Sequence, residues 1–195
     1  MKLGLYGGTF DPVHLAHLII ANIACDELHL DRLIFMPCAA PPHKYNPHLT
    51  NGEHRLRMLE LAIAGYARFA CSDLEIRQGG TSYTIDTVKR LRDEYNLAQK
   101  DFYLIIGADN LKEFHTWKQP QQILEICRLA VAARPDYLMD DTPGNLRPEV
   151  NRLAVPLLEI SSTIIRQRVQ QEKSITFFVP EPVQDYIRLN GLYRR

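Results

Sequence analysis

Residues 7–17, Gly-Gly-Thr-Phe-Asp-Pro-Val-His-Leu-Ala-His, constrain what this chain can fold into more than any other stretch. They follow a short apolar run, Leu3-Gly4-Leu5-Tyr6, and precede an apolar-periodic segment. That order predicts a strand passing through a glycine turn into a helix. Gly7 and Gly8 let the backbone bend tightly and approach a ligand with no Cβ in between. Asp11 and Pro12 read as the N-cap and first residue of the helix. His14 and His17 then stand three apart on one face of its opening turns. Unpaired N–H groups and the positive end of the dipole at such a helix start suit phosphate.

The rest of the chain repeats the alternation. Strands are expected at 2–6, 32–36, 69–76, 101–106, 128–133 and 153–159. Between them fall helical patterns at 14–29, at 84–95 with Ile85, Val88 and Leu91, and near 120–127. On the first of these, Leu15, Leu18, Ile19, Ile23 and Leu28 form the expected buried side. Thr50 and Glu53 match a capping box that opens a helix to about Ala64, with Leu56, Leu59 and Ile63 in register. Ser161 or Ser162 caps a helix to about Glu172, and a last helix near 182–190 ends at Gly191. Strands alternating with helices imply βαβ units and a parallel sheet, which binds ligands beyond the carboxyl ends of its strands. The segments 37–50 and 135–150 read as loops, the first a candidate binding loop.

Composition narrows the function classes. The chain has 195 residues, 46% hydrophobic and 24% charged, with a formal net charge of zero, so nothing global points to nucleic acid or an anionic membrane. An anionic ligand must be held by local charge. No apolar run approaches the length of about 18 residues that a membrane span needs. The start of the chain lacks the apolar core of a signal peptide. Cys25, Cys38, Cys71 and Cys127 are scattered, with no C-x-x-C, as in a cytoplasmic protein with reduced thiols.

Two familiar phosphate signatures, G-x-x-x-x-G-K-[ST] and G-x-G-x-x-G, are missing. Instead a second segment, Ile160-Ser161-Ser162-Thr163-Ile164-Ile165-Arg166, repeats the design of the first: hydroxyls at a helix start and a guanidinium one turn in. The pair of segments resembles the bacterial nicotinate-nucleotide adenylyltransferases, within the wider nucleotidyltransferase superfamily. The resemblance runs nearly the whole length, through Pro41-Pro42-His43-Lys44, Ser82-Tyr83-Thr84, residues 105–110 with Trp117, 133–135 and 179–193. One departure is Ala16, where the family usually has Gly.

The resemblance implies a Rossmann-like, doubly wound parallel sheet with helices on both faces, in one domain over 1–195 with a small C-terminal helical portion from about 161. It also implies transfer of the adenylyl group of ATP to nicotinate mononucleotide, with Mg²⁺ accompanying ATP and no metal held by side chains. His14, His17 and Arg166 are the implied catalytic residues. Gly7, Gly8, Thr9, Phe10, Gly107, Asp109, Ile160, Ser161, Ser162 and Thr163 are implied to bind ATP. Lys44, Ser82, Tyr83, Thr84 and Trp117 are implied to bind the acceptor.

Each residue also has a plainer reading. An isolated H-x-x-H fits a polar helix face or a zinc ligand pair. Ser82 or Thr84 could simply cap a helix, Asp109 likewise, and Lys44 could be a solvated loop lysine. Trp117 lies in a polar stretch, where an aromatic plane suits stacking on a pyridine ring. Rival functions are a sister transferase acting on a phosphopantetheine or nicotinamide substrate, a nucleotide sensor without catalysis, and a zinc-binding structural protein. The oligomeric state leaves no mark in the sequence.

Overall fold

Long apolar runs and amphipathic stretches alternate along the chain, and in the computed structural model, which describes residues 1–40, 49–133 and 150–194, they become strands and helices in turn. The strands are β1 (Leu3–Gly8), β2 (Arg32–Pro37), β3 (Phe69–Cys71), β4 (Phe102–Gly107), β5 (Arg128–Ala133) and β6 (Val150–Ala154). The helices are α1 (Leu15–Glu27), α2 (Gly52–Ile63), α3 (Leu74–Gln78), α4 (Thr84–Tyr95), α5 (Ala108–Glu113), α6 (Pro120–Ile126), α7 (Ser162–Gln170) and α8 (Glu181–Leu189). Every strand pairs in parallel, in the order β3-β2-β1-β4-β5-β6. This is the Rossmann-type doubly wound order, with its switch point between β1 and β4.

Side chains alternate across the sheet into two apolar layers. Tyr6, Leu33, Phe35, Ile105, Ala130 and Leu153 pack with α1, α2, α7 and α8. Leu5, Ile34, Met36, Leu104, Ile106 and Val131 pack with α3 to α6. Each fully buried aliphatic of this kind is worth about 1.5–3 kcal/mol. Packing leaves no room for a side chain at Gly4, where a Cβ would lie 2.6 Å from Leu30 Cδ1.

Local signals gave way to tertiary contacts in several places. β1 runs through Gly7 and Gly8 rather than ending before them, and α1 begins at Leu15 with His14 as its N-cap, not at Asp11-Pro12. Asp11 and Pro12 form a turn with a cis peptide bond, and Asp11 is committed to contacts from distant segments. Toward the sheet α1 presents Ala16, Ala21, Ala24 and Cys25, while Leu15, Leu18, Ile19 and Ile23 are half-buried. Small residues on that face let the helix lie close.

The N-cap of α2 is Asn51, whose side chain accepts from Glu53 N–H at 3.0 Å. Thr50 is spent elsewhere: its N–H reaches Asp11 Oδ2 and its carbonyl accepts from Arg55 Nε. β3 ends at Cys71, after which Asp73 opens α3 and pairs with Arg77. β6 lies at 150–154 instead of 153–159, since its pairing with β5 starts at Leu129 opposite Val150 and Pro156 offers no N–H for a longer ladder. The N-cap of α4 is Tyr83, neither Ser82 nor Thr84. α5 is an additional helix, too short for periodicity to reveal.

Candidate active site

β1 and β4 pair only as far as Tyr6 opposite Ile105, although both strands run two residues further. Their ends part there and open a crevice at the switch point. A cavity of about 210 Å³ fills it, floored by Leu5, Leu104, Ile105 and Ile106. Gly7, Gly8 and Thr9 form one wall, and Ser82, Tyr83, Thr84, Asn110, Glu113, Trp117 and Lys118 form the other. A Cβ at Gly7 would meet nothing within 4 Å, so that backbone is open to a ligand. Gly8 is required for a different reason: a Cβ there would come 2.9 Å from the Phe10 ring.

Phe10 is a core residue. It is 2% exposed, holds φ at +49° and packs edge-on against Tyr6, Phe35 and His17. The segment it begins is clamped from three sides. Arg166 Nη1 donates to the Asp11 carbonyl at 2.7 Å, and Ser162 Oγ donates to the Pro12 carbonyl at 2.9 Å. Tyr193 Oη donates to Asp11 Oδ1 at 2.7 Å, and burial together with the Asp11 carboxylate pushes that phenol well up. Arg55 completes the clamp. It is 1% exposed and donates to the carbonyls of Thr9, Thr50 and Ala39 at 2.8, 2.9 and 3.3 Å.

On this frame sit the two histidines. Their rings stack with centroids 3.7 Å apart. His17 Nδ1 accepts from the His14 backbone N–H at 3.2 Å, so a neutral His17 carries its proton on Nε2. Burial lowers His14 to about 4, and burial with repulsion from His14 holds His17 well below 6.5. Both imidazoles are therefore neutral at pH 7, each with one ring N–H to donate and one ring nitrogen to accept. His14 Nδ1 is buried with no hydrogen-bond partner among the described residues.

The second segment has structural duties as well. Ser161 is the N-cap of α7 and accepts from Ile164 N–H. Thr163 Oγ1 accepts from Arg166 Nη2 at 3.3 Å. Ile160 packs against the core on the α1 side of the sheet. Arg166 thus uses two of its five N–H donors on the protein in these contacts.

On the opposite wall, Tyr83, the N-cap of α4, makes no capping hydrogen bond through its side chain, and Tyr83 and Thr84 both line the cavity. Trp117 is half-buried and packs on Phe114 with centroids 5.2 Å apart. Lys118 Nζ lies 4.3 Å over the Tyr83 ring and pairs with Asp86 at 3.2 Å. Gly107 is the N-cap of α5; Asp109 is exposed and falls outside the cavity lining, which takes Asn110 and Glu113 from that helix. Lys44 lies outside the described residues. No group of three or more His, Cys, Asp or Glu able to hold a metal occurs among the described residues.

Arg55 and Glu75 carry part of the architecture of the site without having been marked by the sequence, whereas Asp11 was read as a helix cap and Tyr193 only as part of the segment 179–193. Arg55 left one signal, a charge on the same helical stripe as Leu59 and Ala62.

Comparison with known proteins places the chain in context. Residues 5–168 match the family described as cytidylyltransferase-like. A Thermomicrobium roseum protein named "Probable nicotinate-nucleotide adenylyltransferase" is 41% identical over 99% of this chain and 92% of its own length. A Geobacillus thermodenitrificans protein of the same name is 42% identical over 98% of this chain and 86% of its own length. In fold the chain resembles the Plasmodium falciparum nicotinic acid mononucleotide adenylyltransferase complexed with NaAD, with a TM-score of 0.79, 20% identity and coverage of 98% and 96% of the two chains.

Proposed function

Because the chain belongs to the cytidylyltransferase-like family, and two relatives above 40% identity bear one enzyme name, we infer that it is a nicotinate-nucleotide adenylyltransferase acting in NAD synthesis. It transfers the adenylyl group of ATP to nicotinate mononucleotide. We treat residues 1–195 as one nucleotidyltransferase domain in the cytoplasm, with α7 and α8 as its C-terminal portion.

The observation that carries the reading is the crevice where β1 and β4 part, with the open Gly7 backbone on one wall and the α4 start and Trp117 on the other. A 5′-phosphate oxygen of the acceptor forms a bond to the α-phosphorus of ATP. The bond from that phosphorus to the bridging oxygen breaks, and its electron pair leaves with pyrophosphate. The attacking phosphate is already anionic, so no general base is needed, and what the protein supplies is alignment and neutralisation of charge. His17 Nε2–H donates to the phosphate that changes hands; His14 and the free N–H groups of Arg166 hold the remaining phosphate oxygens. Thr9, Gly107, Asp109, Ile160 and the hydroxyls at 161–163 complete the ATP side, and Lys44 the acceptor side. We take the divalent ion as Mg²⁺ riding on ATP, held mainly by phosphates and water, as is usual in triphosphate chemistry.

On the acceptor side, the pyridine ring lies on Trp117 and its carboxylate takes the N–H groups at the start of α4. That carboxylate separates nicotinate from nicotinamide substrates, and a pantetheine chain would use neither feature. Pyrophosphate release from Mg–ATP tests the reading, with nicotinate mononucleotide, nicotinamide mononucleotide and phosphopantetheine in parallel. Strong preference for the first is expected. Faster release with either other acceptor would overturn the substrate assignment, and none with any of them would overturn the transferase itself.

A further inference from the structure

Glu75 of α3 faces the cavity beneath the start of α4. Its Oε1 accepts the Thr87 hydroxyl, one turn into that helix. Burial raises its carboxyl above the usual range, while hydrogen bonds from Thr87 and Ser82 pull the other way. Ser82 in turn joins the chain beyond β2: its Oγ accepts from Ala39 N–H at 3.0 Å and its N–H donates to the Ala40 carbonyl at 3.1 Å.

The chain entering this corner turns through two successive glycines. Gly79 and Gly80 both hold left-handed conformations, at φ +66° and +67°, with open space where their Cβ atoms would be. Tyr83, the N-cap, makes no capping hydrogen bond through its side chain and is exposed. Two glycines in succession leave the next residues free to swing unless something holds them. Glu75 is in reach of both Ser82, before the first turn of α4, and Thr87, within the helix.

We propose that Glu75 is a positioning residue: by holding Ser82 and Thr87 it fixes the first turn of α4 and so sets how strictly the acid acceptor is preferred over the amide. This rests on the acceptor reading above. Glu75 does not touch the acceptor's carboxylate; it acts through the backbone N–H groups of α4, whose direction decides whether an anion is matched. An amide asks less of those groups, so loosening the turn penalises the acid more.

The test is steady-state kinetics of wild type, Glu75→Gln, Glu75→Ala and Thr87→Val with both mononucleotides. Wild type must first prefer the acid; absence of that preference removes the acceptor reading and this proposal with it. Given the preference, Glu75→Ala should raise KM for nicotinate mononucleotide about tenfold, lower the acid-to-amide ratio of kcat/KM by a similar factor, and leave KM for ATP within about twofold. Glu75→Gln keeps an acceptor oxygen for Thr87 and should restore most of the ratio. Thr87→Val should shift it in the same direction as Glu75→Ala, and decides the matter if Glu75→Ala does not fold. An unchanged ratio in Thr87→Val and in any folded Glu75→Ala, or equal rises in KM for both substrates, would overturn the proposal.

Discussion

Arg166 Nη1 donates to the main-chain carbonyl of Asp11 across 2.7 Å, joining two segments 155 residues apart in sequence. That bond ties the helix start at 162 to the loop that leads to His14 and His17. On the proposed function the same guanidinium meets phosphate, so its loss would remove a charge from the transition state as well as a strut from the loop. Arg166→Ala should lose about 10²–10³ in kcat and about 1 kcal/mol of stability. His17→Ala should lose a comparable share of turnover while folding normally. Steady-state rates and urea unfolding check both, and a kcat near wild type in either variant contradicts the assignment.

The paired imidazoles make stability fall in acid. In the folded protein His14 titrates at about 4 and His17 well below 6.5, because burial disfavours their charged forms. In the unfolded chain both return to about 6.5. As pH drops from 6.5 toward 4 the unfolded state binds protons that the folded state refuses, so each histidine removes up to about 1.4 kcal/mol per pH unit. Urea unfolding from neutral pH to about 5 should show this slope, and His14→Ala should flatten it. Equal slopes in the two proteins would contradict the burial of that imidazole.

Arg55 makes a prediction about the fold beneath the chemistry. Its buried guanidinium serves the carbonyls of Thr9, Thr50 and Ala39, which belong to three separate segments around the crevice. Arg55→Met would leave three acceptors without their donors and should cost about 3 kcal/mol or more by denaturant titration. A change below about 1 kcal/mol would mean that the segments hold themselves.

Trp117 is the only tryptophan in the chain, so its fluorescence reports on its own site. Nicotinate mononucleotide should quench that emission on binding, and Trp117→Ala should raise the acceptor's KM about 10- to 100-fold, the range expected for losing one stacked ring. ATP should change neither emission nor KM by much. No fluorescence response to the acceptor would place the pyridine elsewhere.

Much of the sheet was legible because buried parallel strands read as continuous apolar runs, as at Leu33-Ile34-Phe35-Met36 and Phe102–Ile106. What misled was local chemistry claimed by distant partners. Asp11 carries a good capping side chain, yet Tyr193, 182 residues away, takes one of its oxygens, and Thr50 lost its cap in the same way. The site follows the same division. His14 and His17 announce themselves by spacing and Trp117 by its polar surroundings. Glu75 and Arg55 act through hydroxyls and carbonyls brought near by folding, and one sequence does not show such pairs.

The measurement closest to the central claim is a crystal structure with nicotinate adenine dinucleotide bound. The expected result is a pyridine ring on Trp117, its carboxylate within hydrogen-bonding distance of the N–H groups opening α4, and the phosphates against His17 Nε2 and Arg166. A pyridine ring bound away from Trp117, or phosphates out of reach of both His17 and Arg166, would contradict it.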